Sequence, residues 1–208
     1  MTDTAEKPHT NTQSTQKKQG LSDLSFIFIF LPALILAVWC LTVFVFQAYQ
    51  VDGPSMQTTL FNSNRLIVWK LPRTWARVTG HQYVPKRGDI VVFSADMLAS
   101  YGQGPNKQLI KRVIGLPGDH LVIKSGVVTI YNKQHPNGFD PDKTLSYGRV
   151  IGITSGNIDI TIPKNEVFVM GDNRSDSLDS RIFGPIPTST IVGQLVLKML
   201  PASQIKAF

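Results

Sequence analysis

From Leu24 to Val51 the chain runs 28 residues without Asp, Glu, Lys or Arg, and between Phe26 and Phe46 only Pro32 and Thr42 fall outside the apolar set. No polar stripe recurs at the 3.6-residue period, so a helix here is apolar all round. About 20 such residues cross a bilayer core, and the pattern predicts a membrane-spanning helix over 25–47. A cleaved leader would have an apolar region of about 7–15 residues closed by a small-x-small site. Here the exit reads Phe46-Gln47-Ala48-Tyr49-Gln50, crowded with bulky side chains, which favours an uncleaved anchor. Residues 1–24 are too poor in apolar side chains to fold and read as a disordered tail. Lys17 and Lys18 precede the span and no cation follows it until Arg65, so the tail is expected in the cytoplasm and the remainder outside.

Beyond Val51 the pattern changes to short β-branched runs: Arg65–Trp69, Asp89–Phe93, Leu109–Ile114, His120–Ile123, Val127–Tyr131, Ile158–Ile162, Glu166–Met170 and Ile191–Leu197. Turn signals such as Leu116-Pro117-Gly118-Asp119 part them. Residues 52–208 hold 15 of the 16 glycines and 11 of the 13 prolines, punctuation that suits an all-β sandwich or barrel. Only Arg73–Val78 reads as a helix. The expectation is a β-rich domain over 48–208, with a small β-ribbon cap near 125–163.

Charge sharpens the division. The formal net charge of +7 lies wholly beyond residue 51, because residues 1–51 carry three lysines and three acids. The mean hydropathy of +0.01 is therefore the average of an apolar segment and a basic domain. That basic surface is either simply solvated or drawn to anionic lipid headgroups; an anchored domain outside the cytoplasm seldom meets nucleic acid. The one cysteine, Cys40, excludes an internal disulfide and a multi-Cys zinc site, and four scattered histidines have no ligand spacing. No metal site is expected.

Three segments can carry chemistry. Asp52-Gly53-Pro54-Ser55 sets a serine on a turn that proline stiffens and glycine shapes, either a plain polar turn or the seat of a nucleophile. Roughly eight residues separate Ser55 from the span, which holds it within about 30 Å of a membrane surface. A nucleophilic serine needs a base. Lys111 lies in Leu109-Ile110-Lys111-Arg112-Val113-Ile114, where strand alternation groups Leu109, Lys111 and Val113 on one face. Neutralising an ordinary lysine at pH 8 costs about 3.3 kcal/mol, which apolar burial can supply. The alternative is an edge-strand lysine that discourages aggregation. The third segment, Gly171–Ile186, is unusually polar after Val167–Met170. Read from Asp172 as a calcium loop, it has Ser177 where Gly is needed and Phe183 where Glu is needed. A loop braced by Asp–Arg pairs remains, either purely structural or serving a site.

Taken in order, Gly53–Leu60 (GPSMQTTL), Arg87–Phe93 (RGDIVVF), Lys111–Asp119 (KRVIGLPGD) and Gly171–Ile186 (GDNRSDSLDSRIFGPI) resemble the bacterial type I signal peptidases, the membrane-anchored Ser/Lys proteases. Gly53 and the single anchor resemble the Gram-positive-like members. The resemblance implies a mainly β fold: one N-terminal transmembrane helix, then an antiparallel β-sheet or barrel-like catalytic domain. It implies Ser55 as nucleophile, Lys111 as general base and Ser177 as the hydroxyl that orients the lysine amine. Asp179 and Arg181 match a structural pair bracing the site, and Asp172, Asn173 and Arg174 shape the same loop. Gly53 stands where Gram-negative-type members have an oxyanion-binding serine. The oxyanion then rests mainly on the backbone N–H of Ser55, and Gly53→Ser is expected to be tolerated. Thr58 stands where many members have proline. Met56, Leu60 and Ile110 are expected to line small substrate pockets. No cofactor is implied.

By the same resemblance the activity is a serine endopeptidase that removes signal peptides after Ala-x-Ala at the outer face of the cytoplasmic membrane. Its partners are secretory preproteins, with membrane lipid and the secretion translocon as neighbours. Two alternatives stay open: a Ser/Lys peptidase restricted to a special client such as a pilin-type precursor, and an inactive anchored β-domain that binds exported chains.

Overall fold

The computed structural model describes residues 16–146, 150–200 and 205–208. The chain divides into two units, 1–42 and 43–208. In the first, helix α1 spans Gln16–Cys40, so residues 16–24 of the tail expected to be disordered are helical. Residues 1–15 of that tail lie outside the described residues. Large apolar side chains along α1 are exposed, Phe28 at 73% and Trp39 at 55%. Among the described residues no helix is long and apolar enough to cross a membrane. A π turn over Leu41–Val45 leads into strand β1, Phe46–Gln50. The expected span end at Gln47 therefore falls inside a strand. Phe46 to Gln50 alternates between exposed and half-buried, a period of two that a count of apolar residues does not register.

The second unit continues with β2 (Arg65–Trp69), α2 (Leu71–Thr79), β3 (Ile90–Ser94), β4 (Gln108–Gly115), β5 (His120–Lys124) and β6 (Val127–Tyr131). After these come α3 (Pro141–Thr144), β7 (Ile158–Thr161), β8 (Glu166–Met170), α4 (Ser180–Phe183), β9 (Ile186–Pro187), β10 (Ile191–Leu200) and β11 (Lys206–Ala207). The main sheet has the order β1-β2-β10-β3-β4-β8-β9, with β11 on β10, and a smaller sheet has the order β6-β5-β7. The strands named here pair antiparallel throughout, and outside them Ile151 makes an isolated parallel bridge to Asn173. The main sheet ends on β1 and β9, so it is open rather than closed into a barrel. Helix α2 starts with Pro72 in its first turn and stops at Gly80, whose φ of 70° ends the helix in the left-handed region.

The expected cap begins earlier than residue 125, because β5 is the central strand of the smaller sheet. Leu121, Ile123, Val128 and Ile130 bury against Ile114 of β4 and Phe168 and Met170 of β8. The smaller sheet thus shares a core with the main one instead of standing off as a ribbon. For function the decisive register is that of β4. Its residues Gln108–Arg112 all pair with β3, whereas β8 joins the other side only from Arg112. Among the described residues, 108–110 keep that second edge open.

Candidate active site

After β1, residues 53–60 fold into a tight turn. The Gln57 N–H donates to the Pro54 carbonyl at 3.0 Å and the Leu60 N–H to the Met56 carbonyl at 2.8 Å. The second bond closes a helical turn, so Met56 and Leu60 share a face. That face enters a core with Val51, Leu66, Ile90 and Leu195. Both residues are core, 1% and 0% exposed, which corrects their expected place in a substrate pocket. Gly53 has a φ of 97°, a conformation costly for a residue with a Cβ. Open space surrounds its Cα, so Gly53→Ser is strained by backbone geometry, not by crowding, and the expected tolerance is not supported. The Gly53 N–H donates to Asn62 Oδ1 at 3.1 Å. The Ser55 N–H makes no hydrogen bond among the described residues.

Strand β4 delivers Lys111, which is 3% exposed. Its Nζ donates to Ser55 Oγ at 2.7 Å and to the Ile110 carbonyl at 3.1 Å. Burial pushes its pKa down from 10.5 to about 8, against the opposing pull of Asp179 and Asp172. Desolvation wins because both carboxylates are already committed to arginines. Asp179 accepts from Arg181 Nε and Nη2, each at 2.8 Å, and from the Gly171 N–H at 3.0 Å. It also caps α4 through the Arg181 N–H.

Asp172 accepts from Arg112 Nε at 2.7 Å, Arg112 Nη2 at 2.6 Å and Thr59 Oγ1 at 2.5 Å. Arg112 also donates to the Gly88 carbonyl at 2.8 Å. Thr59 lies on the Ser55 turn, Arg112 on β4 and Asp172 beyond the end of β8, so one buried ion pair fastens the turn to the sheet. The Asn173 N–H donates to the Ser55 carbonyl at 3.0 Å. Arg174 Nε donates to the Gly171 carbonyl at 3.0 Å, while its guanidinium holds Asp142 and Thr154.

Ser177 is not joined to Lys111 by a hydrogen bond; its hydroxyl is buried without a partner among the described residues. It lies against Gly171, where an added Cβ would come within 2.3 Å of Ser177 Oγ and 2.5 Å of the Ser55 carbonyl oxygen. Ser55 and Lys111 line a cleft of about 410 Å³ with apolar walls that include Val51, Leu66, Val92 and Ile110. Of the three expected pocket residues, Ile110 alone lines it.

Residues 24–200 match the family described as signal peptidase, peptidase S26. The chain belongs to this family. It is 35% identical over 193 residues to signal peptidase I P of Bacillus subtilis subsp. natto, covering 92% of this chain and 96% of that protein. It is 36% identical over 174 residues to signal peptidase I V of Bacillus subtilis strain 168, covering 80% and 94%. Probable signal peptidase I-1 of Synechocystis sp. is 33% identical over 178 residues, covering 85% and 82%. These relatives and the family match establish a type I signal peptidase, a hydrolase acting on signal peptides.

Arg112 and Thr59 join this candidate site, and no role was expected of either. The available signal was the second cation of Lys111-Arg112 inside an apolar run, which demands a buried carboxylate. Gly171 is the third such position. Gly171→Ala is expected to lower the turnover number about 10²-fold, the effect of an ångström-scale misplacement of reacting groups. Stability should fall by only about 1–3 kcal/mol, as for other overpacking changes. Steady-state cleavage and thermal unfolding of the same preparation check both halves; full turnover would show that the Ser55 turn can shift harmlessly.

Proposed function

We propose that this signal peptidase cuts exported preproteins with a Ser55/Lys111 dyad at the outer face of the cytoplasmic membrane. The observation that carries this reading is the 2.7 Å contact between Lys111 Nζ and Ser55 Oγ, made by a lysine that is 3% exposed. Neutral Lys111 accepts the Ser55 proton as Oγ attacks the scissile carbonyl. The resulting ammonium then protonates the departing amine. Asp179 and Asp172 favour that charged form, while the uncommitted Ser55 N–H faces the developing oxyanion. The Ser177 hydroxyl, buried and without a partner in the free enzyme, turns to the amine and orients it once substrate fills the cleft. Water, activated by the same lysine, releases the acyl group from Ser55.

The segment before the cut adds as a strand to the open edge at Gln108–Ile110, and Ile110 and its apolar neighbours accept the small residues of Ala-x-Ala. The apolar segment anchors the enzyme in a single pass, with the tail in the cytoplasm, the β domain outside and the translocon nearby. In support, the sequence from Phe26 to Phe46 is apolar at every position but Pro32 and Thr42, about the length that a hydrocarbon core requires.

Because the base works only when neutral, kcat/KM is expected to rise with pH through a midpoint of about 8 and to level off above it. A pH–rate profile with a midpoint near 6.5 would indicate a histidine instead. The reading as a whole is tested by incubating purified enzyme in detergent with an Ala-x-Ala preprotein and sequencing the N-terminus of the product. Cleavage after the last alanine, absent in Ser55→Ala, is the expected result; intact generic preproteins beside a single processed client would favour the restricted peptidase.

A further inference from the structure

Helix α2 presents to solvent the face that a globular protein ordinarily hides. Leu71, Trp75 and Val78 recur at i, i+4 and i+7, one stripe of a helix, yet they are 38%, 66% and 77% exposed. The residue turned inward is Ala76. On the side of the helix opposite the stripe, next to the inward-turned Ala76, Arg73, Arg77 and His81 line a recess of about 230 Å³ to which no carboxylate contributes. Arg73 Nη2 donates to the Ser189 carbonyl at 3.3 Å, whereas its Nε is buried without a partner. Among the described residues neither arginine forms a salt bridge. Two cations four residues apart, unneutralised on a helix whose other face is an apolar stripe, ask for an anion attached to something oily.

The position of α2 says where that surface lies. The Lys70 N–H donates to the Val45 carbonyl at 2.7 Å, and Thr74 Oγ1 donates to the Phe44 carbonyl at 3.4 Å. The start of α2 is thus tied to the residues through which the apolar segment enters the β domain. Phe46 pairs with Trp69 at the same end of the sheet, and Phe44 and Phe46 are 47% and 41% exposed.

We propose that α2 is a lipid seat: the Leu71–Trp75–Val78 stripe enters the boundary between headgroups and acyl chains, and Arg73, Arg77 and His81 hold the phosphate of an anionic phospholipid. The inference rests on the membrane anchoring proposed above. Short helices with one apolar and one cationic face lie in this plane, and Trp concentrates there. The seat also adjoins the cleft. Tyr49 lines the cleft, and although burial dominates and raises its pKa, the Arg73 charge pulls the other way.

The test uses the full chain with Cys40→Ala and Val78→Cys, labelled with an environment-sensitive fluorophore and reconstituted into phosphatidylcholine vesicles with or without phosphatidylglycerol. In the anionic vesicles the label should shift to the blue and be quenched by lipids with shallow nitroxides. The same label on Lys124→Cys, exposed on the smaller sheet, should stay aqueous. Arg73→Gln and Arg77→Gln should each reduce the lipid-inserted fraction about fivefold. Flotation with the vesicles while label 78 remains open to aqueous iodide overturns the seat alone. Insertion that ignores phosphatidylglycerol overturns the headgroup site, and protection only after adding another membrane protein overturns lipid in favour of a protein partner. Failure to float overturns the anchoring, and the seat with it.

Discussion

Ser55→Ala and Lys111→Met are both expected to abolish cleavage, a fall on the order of 10⁴-fold or more, yet to move stability in different ways. Ser55 is half-buried at the cleft, and losing its hydroxyl should change unfolding by less than about 1 kcal/mol. Lys111 is different, because the fold carries a buried ammonium below pH 8. The gap between 10.5 and about 8, at 1.36 kcal/mol per pKa unit, sets that cost at about 3 kcal/mol. Below pH 8 both folded and unfolded chains hold the proton, and the cost is fully present. Between 8 and 10.5 the native lysine is neutral while the unfolded chain still binds a proton, so wild-type stability rises with pH across this window. Methionine has a similar shape and no charge. Lys111→Met should therefore be more stable than wild type at pH 7, by up to about 3 kcal/mol before lost hydrogen bonds are subtracted. The advantage should shrink to nothing by pH 10.5. Calorimetry of both variants at pH 7 and pH 10 checks this against peptide cleavage. A folded Lys111→Met enzyme that still cuts would remove the lysine from the mechanism.

Much of the β domain was legible because its strands carry their own signal. Arg65–Trp69, Val127–Tyr131 and Glu166–Met170 are strands with the same ends that their β-branched runs suggested. Strand β1 was not legible, since Phe46-Gln47-Ala48-Tyr49-Gln50 continues an apolar run and its weak alternation is lost beside 28 uncharged residues. Around Ser55 the limit is different. Met56 and Leu60 read equally well as pocket or core, and only the helical hydrogen bond between them decides that they point inward. Strand alternation assigned Lys111 and Arg112 to opposite faces, but nothing local reveals that both faces are buried. The partner of Arg112 lies 60 residues away and is brought near by the pairing of Arg112 with Met170. Ser177 shows the converse: its motif places it beside the Ser55 turn, while the direction of its hydroxyl depends on packing against Gly171.

Arg112→Met is expected to be the most destabilising change near the site. Arg112 and Asp172 are each 2% exposed at the side chain, so removing the guanidinium leaves a buried carboxylate with Thr59 as its remaining side-chain donor. Breaking such a pair from one side costs about 3–5 kcal/mol, a fall in Tm of roughly 10 °C for a domain of this size. Removing both charges is another matter, because the two desolvation penalties disappear together. Arg112→Met/Asp172→Leu should recover most of the loss and leave the β domain folded. The pair of variants separates holding the fold from tuning the base. Asp172 raises the Lys111 pKa, so in the double variant the lysine loses a favourable negative neighbour and releases its proton more easily. Whatever cleavage the loosened Ser55 turn retains should then show a pH midpoint below 8. A midpoint that stays where it is in the wild type would mean that the Asp172 charge is cancelled by Arg112 at the lysine, and that the ion pair serves only to pin Thr59 and the nucleophile's turn to β4.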